Sequence, residues 1–285
     1  MEKIYQVDAF TDKPFTGNPA GVCLFSGKKP DELMQNIAME MNLSETAFLW
    51  PEGEGYRLRW FTPGHEEELC GHATLSAAHV LWEQGLLKPD EQAVFFTRSG
   101  RLSAVKRIDG GIVLDFPAEP AREAAPPEGL TAALGLTGGQ VLFCGQNRMD
   151  YLLEVESERL VRNLEVDFAA LRRIAREHPF RGVIVTAKGP GAVVLEEGLG
   201  KKKRADRRFH CVSRFFTPEP EVPEDPVTGS AHCCIGPYWA AKLNEKSLLA
   251  YQASARGGVI GIAVKPERVE LAGKAVTVLE GTLRV

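Results

Sequence analysis

Apolar residues recur along this chain in two rhythms. Short apolar or alternating runs, bounded by Gly, Pro, Asn and Asp, read as strands. They are Ile4–Phe10, Gly21–Phe25, Thr46–Trp50, Arg57–Phe61, Ala93–Thr97, Leu102–Arg107, Ile112–Phe116, Tyr151–Val155, Val183–Thr186, Val259–Val264 and Ala275–Leu279. Many are short and turn-bounded, which predicts mostly antiparallel pairing. His72–Gln84 and Ser230–Leu243 are instead small or apolar nearly all round. As helices they need burial on most faces. Sheets wrapped around such helices predict an α+β fold rather than a doubly wound one.

The same order of elements occurs twice. Arg59-Trp60-Phe61-Thr62-Pro63 returns as Arg214-Phe215-Phe216-Thr217-Pro218. Each copy leads through acidic residues to a small-residue helix opening, Gly71-His72-Ala73-Thr74 and Gly229-Ser230-Ala231-His232. Upstream, Asn36-Ile37-Ala38 in an amphipathic helix is echoed by Arg173-Ile174-Ala175, and an apolar strand follows each. These matches, in one order, mark a duplication: two similar domains, each a curled, mostly antiparallel sheet around a central helix. The period is far too long for a solenoid. Phe116–Gly129 is rich in Pro and Ala, carries no apolar periodicity and suits a linker. It divides the chain into domains 1–117 and 118–285, with the last strand allowed to return to the first.

Composition narrows the function. The chain has 285 residues, room for two domains of about 140 each. A formal net charge of −4 gives no basic field for nucleic acid or an anionic membrane. The start, MEKIYQVDAF, lacks a basic region followed by an apolar one, and no run approaches the ~18 apolar residues of a membrane span. A cytoplasmic protein is expected, with its six cysteines as free thiols. No CxxC pair occurs, and His65, Cys70 and His72 lack a fourth ligand and suitable spacing, so no metal is expected. No Gly-rich phosphate loop follows a strand, so no nucleotide cofactor is expected. The basic run Lys201–Arg204 with Arg207 and Arg208 falls where the second half is longer than the first and reads as a solvated loop.

Candidate chemistry gathers at the two helix openings. A helix N-terminus presents unpaired N–H groups and about half a positive charge. Glycine there lets a ligand come close to the backbone. Gly71 and Gly229 would give two such ends, one per repeat, suited to a carboxylate. Glu68, Cys70 and His72 flank the first; Glu224, Asp225, Thr228 and Ser230 flank the second. Each has an ordinary alternative: Asp225 and Thr228 as caps, Cys70 as a small buried hydrophobe, His72 as a hydrogen-bonded first-turn side chain, the glycines as tight turns.

Five segments together resemble the phenazine-biosynthesis F (PhzF-like) isomerase family. They are Asp8–Thr11, Phe15–Val22 (FTGNPAGV), Asn42–Phe48 (NLSETAF), Cys70–Thr74 (CGHAT) and Asp225–Ala231 (DPVTGSA). They fall in family order from end to end of the chain. The resemblance implies a fold similar to diaminopimelate epimerase and a cofactor-independent isomerase. Its reaction would be a proton shift on a small carboxylate-bearing substrate, in a cleft between the domains. It makes Glu45 the general acid/base, with His72 and Asp225 as catalytic partners. Ser230, Gly71, Gly229, Asn18 and Cys70 would line the substrate site, the glycines through backbone N–H. Family members often pair, so a homodimer is a further expectation.

From the residues alone Glu45 reads as an exposed glutamate at a helix end; the resemblance assigns its role. Its setting between Leu43 and Phe48 is mostly apolar, which suits a group that must both give and take a proton. Aligning Ile37-Ala38 on Ile174-Ala175 sets Gly182 opposite Glu45, so one half alone carries the acid. A two-thiol epimerase needs a cysteine before each helix glycine. Here Cys70 precedes Gly71 but Thr228 precedes Gly229, and threonine forms no thiolate. An epimerase or racemase using Cys70, or a non-catalytic binding protein on the same fold, are the alternatives.

Overall fold

The computed structural model describes residues 2–197 and 201–285, without side chains over 190–208. The side chains of the basic run at Lys201–Arg204, Arg207 and Arg208 thus lie outside the described residues. The chain divides into two compact units. One comprises Met1–Phe116, Val227–Ser230 and Glu270–Val285; the other comprises Pro117–Pro226 and Ala231–Val269.

In chain order the first unit supplies β1 (Glu2–Ala9), β2 (Asn18–Leu24), α1 (Asp31–Met41), β3 (Glu45–Glu52), β4 (Gly55–Phe61), β5 (Glu66–Glu67), α2 (Gly71–Glu83), β6 (Ala93–Thr97), β7 (Gly100–Lys106) and β8 (Ile112–Pro117). There follow β9 (Arg122–Glu123), α3 (Leu130–Ala133), β10 (Val141–Gln146), β11 (Asp150–Val155), α4 (Glu158–Arg162), α5 (Phe168–Glu177), β12 (Gly182–Glu197) and β13 (Lys201–Phe216). Last come α6 (Gly229–Leu243), β14 (Ser247–Gln252), β15 (Gly258–Val264), β16 (Arg268–Gly273) and β17 (Ala275–Leu283). The first two residues of α6 count with the first unit and the rest with the second.

In the first unit β1 lies antiparallel to β17 and to β2; β2 is parallel to β3; β3 is antiparallel to β4; and β4 is parallel to β6. Antiparallel pairing then continues from β6 through β7 to β8. A parallel pair needs a crossover, and α1 and α2 supply the two. The second unit repeats the scheme: β10 antiparallel to β11, β11 parallel to β12, β12 antiparallel to β13, β13 parallel to β14, β14 antiparallel to β15. Its crossovers run through α4 and α5 and through α6. The architecture is the α+β duplication expected from the pattern.

The two kinds of helix follow from their side chains. α1 buries one stripe, Met34, Ile37 and Ala38, against Phe25, Phe48, Trp50 and Phe61. α2 buries all but one of the residues from His72 to Trp82, because β1, β2, β3 and β17 pack around it. Trp239 of α6 reaches Thr186 of β12 with its indole N–H at 3.0 Å. Pro237 stands inside α6 and cannot donate to the carbonyl four residues earlier. That carbonyl, of Cys233, is taken by the Glu119 N–H at 3.0 Å.

The repeated RxFTP segment has an architectural cause. Arg59 forks onto Glu66 with contacts of 2.6 and 2.7 Å and stacks over Phe61 at 5.0 Å. Arg214 forks onto Glu224 at 2.7 and 2.8 Å and stacks over Phe216 at 4.7 Å. Each threonine then closes the turn: Thr62 accepts from the Gly64 and His65 N–H groups, and Thr217 from that of Glu219.

Three expectations change. The stretch Phe116–Gly129 is not a free linker: β9 pairs with β10, and the N–H groups of Ala118 and Glu119 bond to Glu267 and Cys233. Its backbone groups find partners although its side chains show no period. The basic run is strand rather than loop, since the β13 backbone pairs with β12 as far as Glu197↔Lys201. β14 escapes the pattern because half-buried Leu249 and Tyr251 mask the alternation of buried Leu248, Ala250 and Gln252. The two units part between Phe116 and Pro117, and the first takes in Glu270–Val285 and also Val227–Ser230. Within that unit, Asn18 bonds the Val227 carbonyl and Gly229 abuts Gly71.

Candidate active site

Glu45 owes its place to how α1 ends. Asn42 adopts the left-handed conformation, φ 50°, and its N–H caps the Ala38 carbonyl. The chain turns there, and β3 begins at Glu45, in parallel register with Ala20. The Glu45 side chain is 19% exposed, so it is neither the free helix-end glutamate of the ordinary alternative nor sealed in the core. His72 sits in the first turn of α2 and is 4% exposed. Its Nε2 stands 3.1 Å from Glu45 Oε2. The pair does not meet hydrogen-bond geometry, and both atoms are buried without a hydrogen-bond partner. Catalytic hydrogen bonds often tighten only once substrate is bound.

Asn18 opens β2 and is fully buried. Its Nδ2 lies 2.9 Å from the Val227 carbonyl and 3.1 Å from His72 Nδ1. Cys70 Sγ lies 3.6 Å from the same ring nitrogen. Cys70 occupies the N-cap of α2 in extended conformation, and no side chain caps the helix there. A Cβ on either Gly71 or Gly229 would stand 3.4 Å from the other's Cα. The two helix starts therefore meet backbone to backbone.

The first unit thus brings together Glu45, His72, Asn18, Cys70, Gly71 and Gly229, with Ser230 next in α6 and half-buried. Asp225 belongs to the second unit. There its carbonyl accepts from Gln252 Nε2 at 2.7 Å, and its N–H donates to the Phe215 carbonyl at 3.1 Å. Gly182 opens β12 as Glu45 opens β3. A Cβ at Gly182 would come 2.2 Å from the Phe215 ring, so no side chain fits at that position.

Burial, and secondarily the Glu45 charge, push the Cys70 thiol up to about 11. For His72, burial pushes down, while a charged Cys70 and the Glu45 carboxylate pull up and together prevail. At neutral pH, however, the sulfur keeps its proton and supplies no such pull. What remains is one carboxylate against complete burial, and the Asn18 donor facing Nδ1 sides with the neutral ring.

Ligand atoms of Glu45, Cys70 and His72 lie within 4.8 Å of one another. Against this trio as a metal cradle, the Asn18 amide already faces one of the ring nitrogens at 3.1 Å. His65 is no part of the trio; it bonds Thr62 and Glu67. Among the described residues no helix is long and apolar enough to cross a membrane. Val227 falls within the DPVTGSA segment, but motif reading gives it no role, and its carbonyl anchors Asn18. A backbone acceptor 209 residues from its donor leaves no mark in sequence.

Comparison with known proteins follows the same lines. A family profile described as phenazine biosynthesis-like protein (PhzC-PhzF) matches residues 7–281. An uncharacterized isomerase of Halalkalibacterium halodurans is 48% identical over 281 residues, covering 98% of this chain and 97% of that one. The crystal structure of a PhzF-family phenazine biosynthesis protein from Enterococcus faecalis superposes with a TM-score of 0.87 at 38% identity, covering 100% of this chain and 99% of that one. A hydroxyproline epimerase from Agrobacterium vitis is alike in fold alone, with a TM-score of 0.61 at 13% identity, over 98% of this chain and 91% of that one.

Proposed function

Since this chain belongs to the phenazine biosynthesis-like (PhzC-PhzF) family, we propose that it is an isomerase in which Glu45 moves one proton between two carbons of a small carboxylate-bearing molecule. The observation that carries this reading is the partly exposed Glu45 carboxylate, one oxygen of which faces buried His72, beside two abutting helix starts. The substrate carboxylate would accept from first-turn N–H groups at Gly71 and Gly229. The Glu45 carboxylate would take a proton from an acidified C–H, leaving the electron pair delocalised over an adjoining unsaturated system. The Glu45 acid, its proton open to exchange with water through the exposed part of the carboxyl, would then protonate a different carbon, so atoms and electrons balance. A positioned acid/base contributes about 10²–10⁴-fold; orientation and electrostatics supply the rest. Asp225 and Ser230 are candidate assistants, and Asp225→Asn tests the first of them.

The test is a screen of small unsaturated or hydroxylated carboxylates in deuterated water. Wild type is expected to incorporate deuterium and convert one of them, and Glu45→Gln to lose at least about 10²-fold of that rate. Exchange that survives in Glu45→Gln overturns the proposal. One observation favours a second reading: the Cys70 sulfur lies 3.6 Å from a histidine nitrogen, as in a thiol acid/base. That reading requires stereochemical inversion of a substrate, abolished in Cys70→Ser.

A further inference from the structure

We infer that Asn18 is a positioning residue that holds His72 in its Nε2–H tautomer, so that His72 orients Glu45 without carrying the transferred proton. The Val227 carbonyl can only accept. The Asn18 atom 2.9 Å from it must therefore be the amide nitrogen, and the amide cannot be turned over without setting two oxygens face to face. The second hydrogen of that NH₂ then serves the His72 Nδ1 at 3.1 Å. A donor facing Nδ1 needs the ring lone pair there. The ring's own hydrogen consequently sits on Nε2, 3.1 Å from Glu45 Oε2.

The alternatives cost more in this setting. Protonating Nδ1 would set N–H against N–H between two side chains shielded from water. The Cys70 thiol, protonated at neutral pH, also presents hydrogen rather than charge to the same nitrogen. A neutral donor steers the Glu45 carboxylate without cancelling its charge, whereas an imidazolium would do both and could itself give up a proton. Asn18 thus acts through His72 on Glu45, a role distinct from touching substrate. Its catalytic meaning rests on the proposed function; the tautomer does not.

Nitrogen-15 NMR of histidine-labelled protein reads the tautomer with no substrate present. His72 is identified among the six histidines by its absence in a His72→Gln variant. In wild type between pH 6 and 8 the expected signature is a protonated Nε2 and an unprotonated Nδ1, unchanged in Cys70→Ala. In Asn18→Leu the expected signature is a mixture of tautomers or an imidazolium. A wild type with Nδ1 protonated overturns the inference, and so does an Asn18→Leu spectrum identical to wild type. Should Asn18→Leu not fold, Asn18→Ser gives the comparison, and the wild-type spectrum remains decisive about the tautomer. With a substrate in hand, Asn18→Leu is expected to lower kcat about 10²-fold with little change in KM. If Glu45→Gln keeps full exchange while the tautomer behaves as stated, the proposed function fails and the Asn18 assignment stands.

Discussion

At the residue scale burial keeps two thiols protonated, one in the candidate site and one in the second unit. Cys70 and Cys144 both hold their protons until about pH 11, for Cys70 through burial and the Glu45 charge and for Cys144 through burial alone. In the unfolded chain they ionise near 9.0, so between these values the folded state binds more protons than the unfolded one. Their contribution to stability is therefore complete below about pH 9 and is lost as pH rises through about 11. For Cys70 this amounts to roughly 2–3 kcal/mol. Thermal melts are expected to hold to pH 9 and then fall, less steeply in Cys70→Ser. An equal slope in that variant would refute the assignment to Cys70.

The motifs at this scale were legible as residue types, but their division of labour was not. GNP and CGHAT name Asn18, Cys70 and His72, yet a ring tautomer depends on contacts across 54 and 209 residues. Sequence pattern has no access to such contacts. The lack of a Glu45 counterpart in the second half, by contrast, is readable once Gly182 is aligned with Glu45, because glycine carries no side chain to ionise.

At the scale of elements the duplicated RxFTP strands carry the stability argument. The Arg59 side chain is 10% exposed and, besides its fork onto Glu66, reaches Asp31 at 2.6 Å. It ties the start of α1 to β4 and β5. Glu66 also pairs with Arg98 at 2.6 Å, so removing Arg59 leaves it one counterion and costs less than the ~3 kcal/mol of a buried pair with no other partner. Arg59→Ala is expected to lower the urea midpoint accordingly, and Arg59→Ala with Glu66→Leu to recover part of the loss. A double variant as weak as the sum of the two single changes would show that the pair is not coupled. The helices were easiest to read here: the two segments small or apolar nearly all round lie within one residue of α2 and α6. β13 was the hardest, because its charged outer end carries no apolar signal while its backbone pairs regardless.

At the scale of the whole molecule the chain returns at its end to where it began. β17 pairs with β1 over Glu2 to Ala9, with one register shift between Gln6 and Val7. β1 is then a central strand, with β2 on its other side. Deleting residues 275–285 would expose a β1 edge and uncover one side of α2. Such a truncation is expected to leave the first unit open to limited proteolysis while Pro117–Pro226 keeps its protection. A digestion pattern equal to that of the full chain would argue against this dependence.

The Phe215 ring that fills the space beside Gly182 also bears on stereochemistry. Were an acid to stand in each half, a planar intermediate could lose hydrogen from one side and regain it from the other. If Glu45 is the acid/base as proposed and no second group serves the opposite face, hydrogen would leave and arrive on one face. A chiral product would then form as a single hand.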